Sequence, residues 1–116
     1  MTQPDTHPSG LVSEDLVIGT GATARSGQDI VVHYVGRMLA NGQQFDSSIA
    51  RQDPLDFPLG AGIVIPGLDQ GIPGMKVGGK RKLTIPPELA YRDQGCGGVI
   101  PPGATLVFEV ELLEIV

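Results

Sequence analysis

Reactive side chains are scarce in this chain. Its 116 residues include one cysteine, two histidines, no tryptophan, three phenylalanines and two tyrosines. The single Cys96 cannot close an internal disulfide. No two His or Cys residues stand at metal-ligand spacing, so neither a metal nor another cofactor is expected. The chain has no Gly-x-Ser-x-Gly elbow and no phosphate loop. His7 falls near the start, and His33 takes the strand face opposite to Tyr34, so no nucleophile–base pair can be read. No apolar run approaches the length of a membrane span. Met1–Gly10 lacks the charged-then-apolar pattern of a signal segment, so a cytoplasmic location without membrane contact is expected. A net charge of -5 argues against nucleic acid as a partner, because phosphate neutralisation needs a basic face. The local cluster Lys76, Lys80, Arg81 and Lys82 reads as a solvated turn and strand edge.

What the chain does have is turn formers and alternation. Seventeen glycines and ten prolines, with 41% hydrophobic residues, describe a globular domain of short elements. Residues 1–10 read as a loose tail and 11–116 as one domain. Strands are expected at Leu16–Ile18, Asp29–Leu39, Gln43–Asp46, Pro54–Leu59, Lys80–Ile85 and Thr105–Leu113. Asn41-Gly42 signals a hairpin, and Pro54 and Pro58 restrict their strand to an edge. Leu106, Phe108, Val110 and Leu112 mark one face of the last strand. Ser47–Asp53 reads as a polar loop. A longer one, Pro86 to Gly103, reads as a functional flap stiffened at both ends by proline pairs.

Only one stretch carries helical spacing. Ile65, Leu68, Ile72 and Met75 step by three, four and three. Pro66 suits the first helical position and Asp69 the positive end of the dipole, while Pro73-Gly74 ends the element. A helix of about two turns is not stable alone. The expected architecture is therefore α+β: a curved antiparallel sheet wrapped around one short helix.

Tyr34, Phe45, Phe57, Tyr91 and Phe108 all fall on or beside segments that can face this helix. They are either plain core or the wall of an apolar pocket. A buried tyrosine hydroxyl needs a partner, which favours the pocket for Tyr34 and Tyr91. Asp46 is either a turn cap or one of the few polar groups such a pocket carries.

Several motifs then occur in order: Val31-Val32-His33-Tyr34, Phe45-Asp46-Ser47-Ser48, Val64-Ile65-Pro66-Gly67, Gly78-Gly79-Lys80-Arg81, Ala90-Tyr91, Ile100-Pro101-Pro102 and Leu106 through Leu112. Together, over Leu16 to Val116, they resemble the FKBP-type peptidyl-prolyl cis–trans isomerases. The resemblance implies an FKBP-like sheet around a helix and a monomeric enzyme. It also implies a pocket for proline-containing peptides and unfolded proteins, and binding of macrolides such as rapamycin or tacrolimus. By motif, Tyr34, Asp46, Ile65, Tyr91 and Phe108 would act on the Xaa-Pro bond. Phe45, Leu55, Phe57, Val64, Leu68, Val99 and Ile100 would bind the substrate. The Ile65 amide and the Tyr91 hydroxyl would donate to bound carbonyls.

The sequence departs from the family at four points. Leu68 stands where tryptophan is usual, Leu55 where phenylalanine is frequent, and Cys96 where histidine is frequent. The Tyr34–Phe45 interval is one residue long, which predicts a bulge or longer turn near Arg37–Asn41. Two other readings stay open: a non-catalytic proline-peptide or chaperone module, and a thiol protein using Cys96.

Overall fold

The computed structural model describes residues 5–7, 9–92, 95 and 100–116. Its strands are β1 (Asp5–Thr6), β2 (Val12–Val17), β3 (Asp29–Met38), β4 (Gln44–Ser47), β5 (Leu55–Pro58), β6 (Lys80–Ile85) and β7 (Leu106–Ile115). The described residues also form two α-helices, α1 (Ser48–Arg51) and α2 (Pro66–Gly71), and a 3-10 turn at Pro87–Leu89. The sheet order is β1-β2-β6-β7-β3-β4, and β5 also pairs with β3. The pairings among these strands are antiparallel.

The alternation in β7 decides which face is inside. Leu106, Phe108, Val110 and Leu112 are all buried, as are Ile30, Val32 and Tyr34 of β3 and Leu83 and Ile85 of β6. Leu68, Ile72 and Met75 of the helical segment close the core from the other side. The helix meets the sheet through glycine. A Cβ on Gly67 would stand 2.4 Å from Ile85 Cγ2, and one on Gly71 would stand 2.6 Å from Leu83 Cδ2. Absent side chains at i and i+4 therefore let the helix backbone approach β6 closely.

Arg81 fixes the far end of α2. It donates to the carbonyls of Gly71 and Pro73 and to Asp15 Oδ1, at 2.8, 3.1 and 2.6 Å. Those carbonyls belong to the helix end, where no intrahelical donor remains. Lys80 and Lys82 lie opposite Glu111 and Glu109 in the ladder. The basic cluster thus serves the sheet and the helix end.

Several expectations change. Asp5–Thr6, inside the segment expected to be a loose tail, pairs with Val12 and Ser13. The short strand expected at Leu16–Ile18 instead runs from Val12 to Val17, because it is positioned by the ladder with β6 and not by its own hydrophobicity. Leu16, Val17 and Ile18 stay exposed at 45%, 47% and 64%. The expected Ser47–Asp53 loop contains the single turn α1. Ser47 Oγ accepts from the Ala50 amide at 3.1 Å, and Gln52 closes the turn at φ 54°. Capping created this element where no periodicity could announce it.

Candidate functional site

β4 and β5 pair in series along the same edge of β3, with Val35–Arg37 and Asp29–Val32 respectively. The chain between them carries α1. Ser48, fully buried, ties α1 to β3: its Oγ accepts from the Tyr34 amide at 2.8 Å and lies 2.8 Å from His33 Nδ1. Arg51 is thereby brought to the mouth of the inner face.

The one-residue excess in the β3–β4 hairpin is a bulge. Gly36 pairs with Asp46 but Arg37 pairs with Gln44, so Phe45 has no partner across the ladder. The irregularity expected near Arg37–Asn41 thus lies opposite that stretch, at Phe45. The bulge turns the Phe45 ring onto the sheet. Gly36 makes room for it: a Cβ there would be 2.7 Å from Phe45 Cζ and 3.0 Å from Phe108 Cε2. Phe45 meets Phe108 edge-on, with ring centroids 5.6 Å apart, and Tyr34 meets Phe108 at 5.9 Å.

These rings form one side of an open cavity of about 410 Å³. Val64, Ile65 and Leu68 form the side facing them, and Leu55 and Tyr91 complete the mouth together with Ile63. Asp69 sets that rim, because its carboxylate accepts from the Gly60 and Gly62 amides, both at 2.9 Å. Seven of the ten described lining residues are apolar; the others are Tyr34, Asp46 and Tyr91. The Ile65 amide, at the entry to α2, donates to no acceptor among the described residues.

The polar corner is a three-member cluster. Tyr34 donates its hydroxyl proton to Asp46 Oδ2 at 2.6 Å. Arg51 donates to the Tyr34 oxygen at 3.1 Å, pairs with the other Asp46 oxygen, and sets its guanidinium 5.8 Å from the Tyr34 ring centroid. Burial first, and the Asp46 carboxylate second, push the Tyr34 phenol above its ordinary pKa, against the opposing pull of Arg51. Asp46 is therefore a partner of Tyr34, and the residue that caps the turn is Ser47.

Nine residues assigned by motif meet at this cavity: Tyr34, Phe45, Asp46, Leu55, Val64, Ile65, Leu68, Tyr91 and Phe108. Phe57 and Ile100 do not line it. They are 2% and 5% exposed and belong to the core beneath the wall. Val99 and Cys96 lie outside the described residues. Arg51 and Ile63 went unassigned. The signal for Arg51 was the capping motif Ser47-Ser48 that starts its helix. The signal for Ile63 was an apolar residue, 65% exposed, inside a glycine-rich loop.

Comparison with known proteins gives a consistent result. Residues 21–113 match the family model for FKBP-type peptidyl-prolyl cis-trans isomerase. The chain is 58% identical over 106 residues to an FK506-binding protein of Neisseria meningitidis serogroup B, covering 91% of this chain and 96% of that one. Among solved structures, it superposes on the crystal structure of AtFKBP13 with a TM-score of 0.90. Identity there is 47%, with 98% of this chain and 99% of that one covered. For FkpA from Escherichia coli the TM-score is 0.87 and the identity 45%, over 97% of this chain and 51% of that one.

Proposed function

The chain belongs to the FKBP-type peptidyl-prolyl cis-trans isomerase family, and on that premise we propose that it accelerates Xaa-Pro isomerisation in peptides and unfolded proteins by desolvating the twisted amide. The observation that carries this reading is an apolar cavity whose polar groups can orient an amide but form no nucleophile–base pair.

Resonance gives the peptide C–N bond its barrier of about 18–20 kcal/mol. Twisting breaks the resonance, and the carbonyl loses part of its dipole. The twisted state then loses less than the planar one on leaving water. A dry, apolar site favours it without acid, base or nucleophile. Stripping water from one amide is worth several kcal/mol, and ~5 kcal/mol corresponds to a few thousandfold in rate. In this scheme Phe45, Leu68, Phe108 and Tyr34 hold the proline ring. The Ile65 amide and Tyr91 hold the flanking backbone. Asp46 and Arg51 fix the Tyr34 hydroxyl.

NMR exchange on a series of Xaa-Pro peptides tests the reading. Acceleration is expected, with an apolar residue before the proline preferred, because Leu55 and Ile63 line the mouth. Equal rates for Glu-Pro and Leu-Pro peptides would remove the preference. Peptide binding without acceleration would make the protein a binding module instead. The family resemblance also supports macrolide binding at this cavity.

The same mechanism predicts a rate that is flat from about pH 6 to 8, since no acid–base step is involved. The raised pKa of Tyr34 sets the sign at the alkaline end. Its neutral, donating form is complete below the ordinary phenol pKa and is lost only as pH rises through the higher folded value. A pH–rate profile therefore falls only above about pH 10. A step between pH 6 and 8 would reveal an acid–base step and would contradict the mechanism.

A further inference from the structure

A second open groove, of about 390 Å³, lies beyond the aromatic wall at the tip of the β3–β4 hairpin. Met38 and Leu39 form one bank; Pro101, Pro102 and Thr105 form the other. Leu39 is 56% exposed, yet its backbone is fixed, with its amide donating to the Thr105 carbonyl at 3.0 Å. The Met38 amide donates to Gln43 at 2.9 Å, so the hairpin side is built as well. No described residue lining this groove carries a charge.

The groove continues the inner face of β3. Tyr34, Gly36 and Met38 share that face by the two-residue period of a strand. Gly36 lies beneath the Phe45 and Phe108 rings of the cavity, and Met38 comes next. Two strand residues span roughly 7 Å, which is also the reach of two residues in an extended bound peptide. A polypeptide with its proline among those rings can cross Phe45 and set a side chain two or three positions away into the groove.

We propose that this groove is an extended substrate subsite, taking an uncharged apolar side chain two or three residues from the isomerised proline. The assignment rests on the cavity being the Xaa-Pro site. It makes the protein selective for unfolded chains with an apolar residue near the proline, a selectivity that minimal peptides do not reveal.

The test uses Ala-Leu-Pro-Phe as a minimal substrate, and nine-residue peptides carrying leucine or aspartate three positions before or after the proline. Exchange rates are measured by NMR, together with the shifts of the Leu39 and Thr105 amide resonances. On one side of the proline, leucine is expected to raise kcat/KM about fivefold over aspartate. Leu39→Asp should abolish that advantage and leave the minimal substrate's rate unchanged. Leu39→Ala should lose part of it. An active enzyme with no leucine advantage, or an advantage that survives Leu39→Asp, would overturn the subsite. If no peptide is turned over but leucine-dependent shifts still map to Leu39 and Thr105, the catalytic reading fails and the groove stands. A change of mass on light scattering for Leu39→Asp, with peptide rates unchanged, would make the groove a contact between copies and also overturn the assignment.

Discussion

Gly67→Ala is expected to lower the melting temperature by about 5–10 °C and to reduce kcat/KM with it. Two effects oppose each other. Alanine is the better helix former by up to about 1 kcal/mol. Its methyl group, however, would lie 2.4, 2.7 and 2.8 Å from Ile85 Cγ2, Cδ1 and Cγ1. Overpacking of this kind costs about 1–3 kcal/mol. Ile85 is fully buried and cannot swing into solvent, so the steric term should win. Relief by lifting the helix would displace Ile65 and Leu68 from the cavity wall, which is why activity should fall along with stability. A double-mutant cycle with Ile85→Ala locates the clash, since that change removes all three contacting atoms. The double variant should be less destabilised than the two singles summed. An unchanged or raised melting temperature for Gly67→Ala would show that the helix–sheet contact is slack.

This contact is only half legible in the sequence. The pattern Ile65, Leu68, Ile72 and Met75 located the helix because burial imposes a period on apolar side chains. The same helix also buries Gly67 and Gly71, and a residue that packs by having no side chain leaves no hydrophobic signal. β7 was legible for the opposite reason: from Leu106 to Leu112 every second residue is apolar and buried. β2 was misplaced because its polar half, Ser13 to Asp15, is held by pairing with β6.

The site divides in the same way. Aromatic identity foretold burial for Phe57 and Phe108 alike, but not which would face the cavity. Phe57 comes from an edge strand whose inner side meets the core. Phe45 reaches the cavity through a bulge, and the extra residue before it was countable in the sequence while its location was not. Arg51 acts only through tertiary placement. One capped turn, anchored by Ser48 beneath Tyr34, brings it to Asp46. Nothing periodic precedes it.

Leu68→Trp is expected to tighten rapamycin or tacrolimus binding about tenfold. Leu68 lies in the cavity wall on α2, between Ile65 and the core, and is 6% exposed. An indole there offers a broader surface to a ligand ring. A gain of some 40–60 Å² of apolar contact, at about 25 cal/mol per Å², is roughly 1–1.5 kcal/mol, or about tenfold. The opposing effect is again overpacking, at about 1–3 kcal/mol where neighbours already fill the space. Here they do not. Phe57 stays in the core, Tyr34 is held at the wall by Asp46 and Phe108, and about 410 Å³ of cavity is open beyond Leu68. The indole therefore has room that the methyl group at Gly67 lacks, and the melting temperature should change little. Titration of wild type and variant with each macrolide, run beside thermal melts, decides between the two effects. Weaker binding together with a lower melting temperature would mean that the ring turns inward against Ile85 and Phe57 rather than into the cavity, and that Leu68 is a core residue with one edge at the site.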